Sequence, residues 1–91
     1  MAIEIEGHHY EVVVGTDVSR PDARNGAFVE MRELDTPGKP IILIAFRSNA
    51  DGRVTISVYR QDVPLEVLAF FLRVASEELS VERWPLWGGE S

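Results

Sequence analysis

The stretch that decides the fold is Ile41-Ile42-Leu43-Ile44-Ala45-Phe46, an unbroken apolar run between Pro40 and Arg47. Its length, its β-branched residues and its polar boundaries favour a strand over a buried helix. It is too short to cross a membrane, which takes about 20 apolar residues. Because side chains of a strand alternate between the two faces of a sheet, this run predicts that something covers the sheet on both sides.

Four shorter patterns around this run predict further strands. Ala2–Glu6 and His9–Val14 alternate apolar and polar residues, with a turn at Gly7-His8. They form either a hairpin or one long strand that is kinked at Gly7. Ala27–Leu34 and Arg53–Arg60 show the same alternation, and each is separated from the central run by turn-forming residues.

The longest predicted loop is Gly15–Gly26, which is rich in turn-forming residues and ends in Asn25-Gly26. A loop of this length in a small domain is either functional or mobile.

A single helix is predicted over Leu65–Leu79. Pro64 suits the first helical position, and Asp62 is placed to accept hydrogen bonds from the free N–H groups of the first turn. The apolar residues cover an arc of roughly 220°, about twice what one sheet face requires. The predicted stripe consists of Leu65, Leu68, Leu72, Ala75 and Leu79, extended by Val67, Phe70, Phe71 and Val74.

These elements predict an α+β domain: an antiparallel meander sheet of about five strands, in order 1-2-3-4-5, with one C-terminal helix packed on one face. Residues 1–80 form the domain, and residues 81–91 form a tryptophan-containing tail. The helix should cover the face that carries Val54, Ile56 and Val58. The rest of the predicted core is Tyr10, Val12, Val29, Met31, Leu68, Phe71, Leu72 and Ala75.

Part of the central strand and part of the helical arc would remain without cover in this arrangement. The tail could fold back over the surplus apolar surface, a second copy of the chain could pack there, or a different protein could bind.

Composition limits the classes of function. The 91 residues carry 15 acidic and 9 basic side chains, a net charge of −6, and no cysteine. The basic residues are scattered, so we expect no direct binding to nucleic acid and no binding to an anionic membrane. Without cysteine there are no disulfides and no thiolate metal sites. The N-terminal residues lack the pattern of a signal peptide, so a cytoplasmic location is expected.

No constellation of catalytic residues stands out, and we expect a protein that is not an enzyme and uses no cofactor. The sequence has no nucleophile elbow, no glycine-rich phosphate loop and no recognisable triad. His8 and His9 are the single histidine pair, but neighbours on a strand point to opposite faces and cannot easily chelate one metal ion. We interpret them as polar residues at a turn.

The sheet face away from the helix is the candidate binding site. It should carry Phe28, Glu30, Arg32, Thr55, Ser57 and Tyr59 around an apolar centre from the fourth strand. Aromatic and arginine anchors within a polar rim are typical of protein interfaces. Trp84 and Trp87 are further candidate anchors; they either dock on a partner or pack on the surplus apolar surface of the domain itself.

The sequence thus favours a small acidic protein-binding module. Its partner is expected to be either a basic protein or a second copy of the chain. In size, acidity and lack of catalytic residues it resembles the stoichiometric inhibitors of microbial conflict, namely immunity proteins, antitoxins and anti-CRISPR proteins. This resemblance rests on no motif and implies no site residues. The alternative is a small homodimeric enzyme or ligand-binding domain with a pocket near residues 15–26.

Overall fold

The predicted meander is present. The computed structural model describes residues 1–17 and 26–79. The five strands pair antiparallel in the order β1-β2-β3-β4-β5, and a C-terminal helix completes an α+β fold. The elements are β1 (Ala2–Ile5), β2 (His8–Asp17), β3 (Gly26–Glu33), β4 (Ile41–Ser48), β5 (Val54–Val58) and α1 (Leu65–Glu78).

The strand register sorts the side chains onto two faces, because directly paired residues lie on the same side of a sheet. Val29 pairs with Val14 on one side and with Ala45 on the other, and Ala45 pairs in turn with Ile56. This row and the next one, which joins Val12, Met31 and Leu43, pack against α1. We call this side the helix face, and most of the core lies there.

A β-bulge in β4 enlarges the core. Met31 pairs with Leu43 but Arg32 pairs with Ile41, so Ile42 is the extra residue. Ile42 and Leu43 are both buried, although neighbours on a regular strand would point to opposite faces. The bulge therefore places more of the apolar run against the core than strict alternation predicts.

The helix turns only part of the predicted stripe toward the sheet. Leu72, Ala75 and Leu79 are buried as predicted, whereas Leu65 is 78% exposed, and Val67 and Phe71 are almost completely buried in addition. Leu68 is partly buried instead of central. The wide arc allowed several rotations of the helix, and packing against β3 selects the one centred on Phe71.

Both ends of α1 differ from the expected capping. Pro64 occupies the N-cap position in an extended conformation (ψ 143°), one residue earlier than predicted, and it has no side-chain cap. Asp62 adopts a left-handed conformation (φ 59°). Among the described residues no side chain makes a capping hydrogen bond at the start of α1, so the predicted capping role of the Asp62 carboxylate is wrong. At the other end, Arg47 Nη1 donates a hydrogen bond of 2.9 Å to the carbonyl oxygen of Leu79. A cation from the sheet thus stabilises the negative end of the helix dipole.

The first connections are tighter than predicted. The turn between β1 and β2 is Glu6-Gly7, with φ of 53° and 81°, one residue before the predicted Gly7-His8. β2 extends to Asp17 and β3 begins at Gly26, so both ends of the predicted loop over residues 15–26 belong to paired strands. The remainder of that loop and the tail lie outside the described residues. Within residues 1–17 and 26–79, no helix has the length and apolar character needed to cross a membrane.

Candidate functional site

The side of the sheet opposite α1 carries no other described strand or helix, and we call it the open face. Its members follow from the register, since they alternate with the residues of the helix face. Ten of them are half-buried or exposed and surround the centre of this face. They are Glu11, Val13, Gly15, Phe28, Glu30, Arg32, Ile44, Phe46, Thr55 and Ser57.

Four apolar side chains form the centre of the open face. Phe28 pairs with Phe46, and Glu30 lies between Val13 and Ile44 in the next row. These four apolar residues, Val13, Phe28, Ile44 and Phe46, are called the apolar band. Each is half-buried, whereas Val29 and Ala45, which lie at the centre of the helix face on the same two strands as the phenylalanines, are completely buried. The band therefore retains apolar surface that a partner could cover.

The two phenylalanine rings of the apolar band approach glycines on neighbouring strands. A Cβ placed on Gly15 would lie 2.8 Å from Cζ of Phe28, its direct cross-strand partner. A Cβ on Gly26 would lie 2.7 Å from Cζ of Phe46 and 2.0 Å from the carbonyl oxygen of Arg47. The two rings thus occupy the space that a side chain at position 15 or 26 would need, as aromatic residues do when they cover glycines in a sheet.

An ion pair lies beside the apolar band. Arg32 Nη2 is 3.4 Å from Glu30 Oε2, two positions along the same face of β3. Arg32 Nη1 also donates a hydrogen bond of 3.1 Å to the carbonyl oxygen of Lys39. The Glu30 side chain is 17% exposed, and that of Arg32 is 36% exposed. The guanidinium group is therefore held in place while part of it remains available to solvent.

Hydroxyl groups border the apolar band on the β5 side. Thr55 and Ser57 are exposed and pair with Phe46 and Ile44. Tyr59 is 62% exposed and follows β5, where its backbone N–H donates a hydrogen bond of 2.9 Å to the carbonyl oxygen of Ile42. Tyr59 thus lies at the border of the sheet, just beyond the end of β5.

The structure therefore places three of the predicted site residues, Phe28, Glu30 and Arg32, on one face, and Tyr59 follows the end of β5. Trp84 and Trp87 lie outside the described residues. The sequence interpretation missed Val13, which it grouped with His9 and Glu11 without assigning it to the site. The strand register supplies the missing information, because Val13 pairs with Glu30.

A second polar cluster joins the β1–β2 hairpin to the turn after β3. The His9 backbone N–H donates a hydrogen bond of 2.8 Å to Asp35 Oδ2, and His9 Nδ1 lies 3.1 Å from Asp35 Oδ1. His8 Nδ1 is 3.9 Å from the same carboxylate. The backbone hydrogen bond from His9, assisted by the histidine side chains, lowers the pKa of Asp35. Among the described residues, no group of three or more histidine and carboxylate side chains is arranged to hold a metal ion.

Two carboxyl groups meet where the β1–β2 turn approaches the start of α1. A hydrogen bond to the Glu6 carboxyl group, together with the repulsion between the two charges, raises the pKa of Glu66. Both effects favour the protonated form of Glu66. Glu6 lies in the turn between β1 and β2, and Glu66 lies in the first turn of α1. Neither residue belongs to the strands that carry the apolar band, so we do not assign the pair to the candidate site.

Comparisons with known proteins supply no relatives: no family model, curated protein or solved structure matches this chain.

Proposed function

We propose that this chain is a protein-binding module that acts without catalysis, and that it binds its partner through the open face. The observation that carries the proposal is the apolar band, whose four members keep exposed surface at the centre of an ordered sheet face. Ordered apolar surface inside a polar rim is characteristic of protein interfaces.

The anchors follow from the geometry around the band. Phe28 supplies aromatic area, and Arg32 supplies a guanidinium group that Glu30 and the carbonyl oxygen of Lys39 hold in place. Tyr59 supplies a ring and a hydroxyl group at the β5 side. Tyrosine and arginine are among the residue types that most often dominate binding energy at interfaces. Trp84 and Trp87 remain proposed anchors on the strength of the sequence.

Charge favours a basic partner. The chain has a net charge of −6, and Glu4 and Glu11 lie on the β1–β2 side of the open face. Acidic groups around an apolar centre attract a basic surface and accelerate association, while the centre supplies affinity. These features are consistent with a stoichiometric inhibitor that covers the functional surface of its target.

The test compares matched charge changes on the two sides of the molecule. Tagged full-length chain is used to capture partners from lysate of its native host, and the affinity for a captured protein is then measured by calorimetry with purified components. Ile44→Lys places a cation in the apolar band, beside Glu30. Ala69→Lys makes the same change of charge at an exposed position of α1. We expect Ile44→Lys to weaken binding at least tenfold, about 1.4 kcal/mol, and Ala69→Lys to leave it within about twofold.

Circular dichroism of both variants checks that they are folded. Equal affinities of the two folded variants for the captured protein would refute binding through the open face. Salt separates the two contributions: binding that disappears at high salt would indicate contacts led by the acidic rim, and binding that persists would indicate the apolar band.

A further inference from the structure

The two edges of the sheet differ in how they are protected against pairing with another chain. β1 carries Glu4 in its centre, a charge of the kind that blunts exposed edges. β5 has the sequence Val54-Thr55-Ile56-Ser57-Val58, with no charge, proline or glycine. Tyr59 extends this uncharged stretch, and both Val58 (59% exposed) and Tyr59 (62% exposed) are large and solvent-exposed. An uncharged, β-branched edge strand is a template for strand addition.

The hydrogen bonds to β4 show which backbone groups of β5 face outward. Arg53 accepts a hydrogen bond from Ser48 N, and Tyr59 N donates to Ile42 O. In an antiparallel ladder, alternate residues direct both of their backbone groups to the same neighbour. The odd-numbered residues of β5 therefore bond to β4, and the even-numbered residues, Val54, Ile56 and Val58, direct their N–H and C=O groups away from the sheet.

We propose that β5 pairs antiparallel with β5 of a second copy of this chain, around a twofold axis at Ile56, to form a continuous ten-stranded sheet. In this register Ile56 faces Ile56 of the second copy, and Val54 faces Val58. All outward-directed backbone groups of β5 then bond across the interface, because each of these pairs is of the hydrogen-bonded type. An isologous twofold contact of this kind closes on itself and leaves no free β5 edge.

The side chains fit the same register. Val58 on the helix face packs beside Val54 of the second copy, and Thr55 on the open face lies opposite Ser57. Beyond the strand, Arg53 lies opposite Tyr59 of the second copy, where a guanidinium group can stack on the exposed ring. Alignment on Ile56 also matches the full length of β5 and places no two like charges opposite each other. A second copy is therefore favoured over an unrelated peptide.

Because the twofold axis is perpendicular to the sheet, the two open faces lie on the same side of the ten-stranded sheet. The dimer would present two apolar bands side by side. A partner with two matching surfaces could then bind both at once, which raises the apparent affinity without any new contact.

The experiment uses charges at exposed positions of the full chain. In the double variant Thr55→Lys/Ser57→Lys, the lysine at position 55 of each copy lies opposite the lysine at position 57 of the other. Thr55→Lys/Ser57→Glu is the matched control, since the same positions then carry opposite charges. Like charges directly opposite each other destabilise a strand pair, and opposite charges stabilise it. Sedimentation equilibrium of the purified chains measures dimerisation, and circular dichroism checks folding.

We expect the unmodified chain to sediment at twice its 10.2 kDa monomer mass. Dimerisation of the Lys/Lys chain should be about tenfold weaker, and that of the Lys/Glu chain at least as strong as in the unmodified chain. A Thr55→Glu/Ser57→Glu chain should dimerise as weakly as the Lys/Lys chain and form a mixed dimer with it.

Three results would contradict the proposal. A monomeric unmodified chain would overturn it, as would equal dimerisation of the unmodified and Lys/Lys chains. A Lys/Glu chain as weak as the Lys/Lys chain would overturn the register. A twofold axis at Thr55 instead of Ile56 slides one strand by two residues along the other and sets the lysines at position 55 of the two copies against each other.

If the Lys/Lys chain fails to fold, the Glu/Glu chain provides the same comparison with the opposite sign of charge. These measurements use the purified chain without a partner, so their outcome is independent of whether the open face binds another protein.

Discussion

Neighbouring residues on the central strand occupy very different environments on the two sides of the sheet. Ala45 is completely buried under α1, whereas Ile44 and Phe46, on either side of it in the chain, are half-buried on the open face. The backbone ladder is common to both sides, so the difference arises from what lies above each face. The helix removes the centre of the helix face from water, and no described strand or helix does the same for the open face. An apolar residue is therefore a part of the core on one side and a candidate contact on the other.

The largest expected difference is between Phe71 and Phe46. Phe71→Ala removes a completely buried ring from the helix face and should lower the free energy of unfolding by about 3–5 kcal/mol. Phe46→Ala removes a half-buried ring from the open face and should lower it by only about 1–2 kcal/mol. Urea unfolding of the full-length variants, followed by circular dichroism, measures both losses. A small domain has only about 5–15 kcal/mol in total, so Phe71→Ala will be close to unfolding.

Equal losses in the two phenylalanine variants would contradict the difference between the faces. They would mean that Phe46 is as far removed from water in solution as Phe71, and hence that something covers the apolar band.

The two glycines under the phenylalanine rings provide a second, smaller comparison. A Cβ at Gly26 would lie 2.0 Å from the carbonyl oxygen of Arg47, a backbone atom that cannot move without disturbing the β3–β4 pairing. We expect Gly26→Ala to lower the free energy of unfolding by about 3 kcal/mol. A Cβ at Gly15 meets the far end of the Phe28 ring, which can rotate toward solvent. Gly15→Ala should therefore cost less than about 1 kcal/mol, since alanine also reduces the conformational freedom of the unfolded chain.

Urea midpoints of the two glycine variants test this order. A larger loss for Gly15→Ala would show that the Phe28 ring is held rigidly on the open face, which would contradict the difference between the two faces.

The strands and their order were predictable because period-two alternation and short turns specify a meander almost by themselves. The ends of the strands were harder to predict from the sequence. Gly15 and Asp17 are turn formers by propensity, yet pairing with Phe28 and Gly26 keeps their backbone in β2. The extra residue at Ile42 gave no sequence signal, because every residue around it is apolar. The exposure of Leu65 was equally hidden, since a wide apolar arc does not reveal which part of it meets the sheet.

The candidate site was predictable to the extent that alternation assigns residues to faces. Phe28, Glu30 and Arg32 share a strand, so their common face follows from spacing alone. Val13 joins them only through its pairing with Glu30, which depends on the register between two strands. Register across the long β2–β3 connection is set by tertiary pairing, and a single sequence contains no direct record of it.

The smallest expected effects concern two acidic side chains, Asp35 and Glu66. Their contributions to the free energy of unfolding should depend on pH in opposite directions. The folded state lowers the pKa of Asp35, so the charged form contributes stability above its ordinary pKa of 3.8, and this contribution is lost as the pH falls through the lowered value. Asp35→Asn should therefore reduce stability at neutral pH, with the deficit shrinking in acid. Urea midpoints from neutral pH to below 3.8 measure this slope. A stabilising Asp35→Asn at neutral pH would show that the contact to His9 does not form in solution.

Glu66 should show the reverse behaviour. The folded state raises its pKa, so its charge opposes folding at neutral pH, and this penalty disappears as the pH falls toward 4.5. Glu66→Gln should therefore stabilise the protein at neutral pH and become neutral in acid, as urea midpoints over the same pH range will measure. Both carboxyl groups are exposed, so the two effects will be small and will decrease further with added salt. A destabilising Glu66→Gln at neutral pH would mean that Glu66 and Glu6 do not meet in solution.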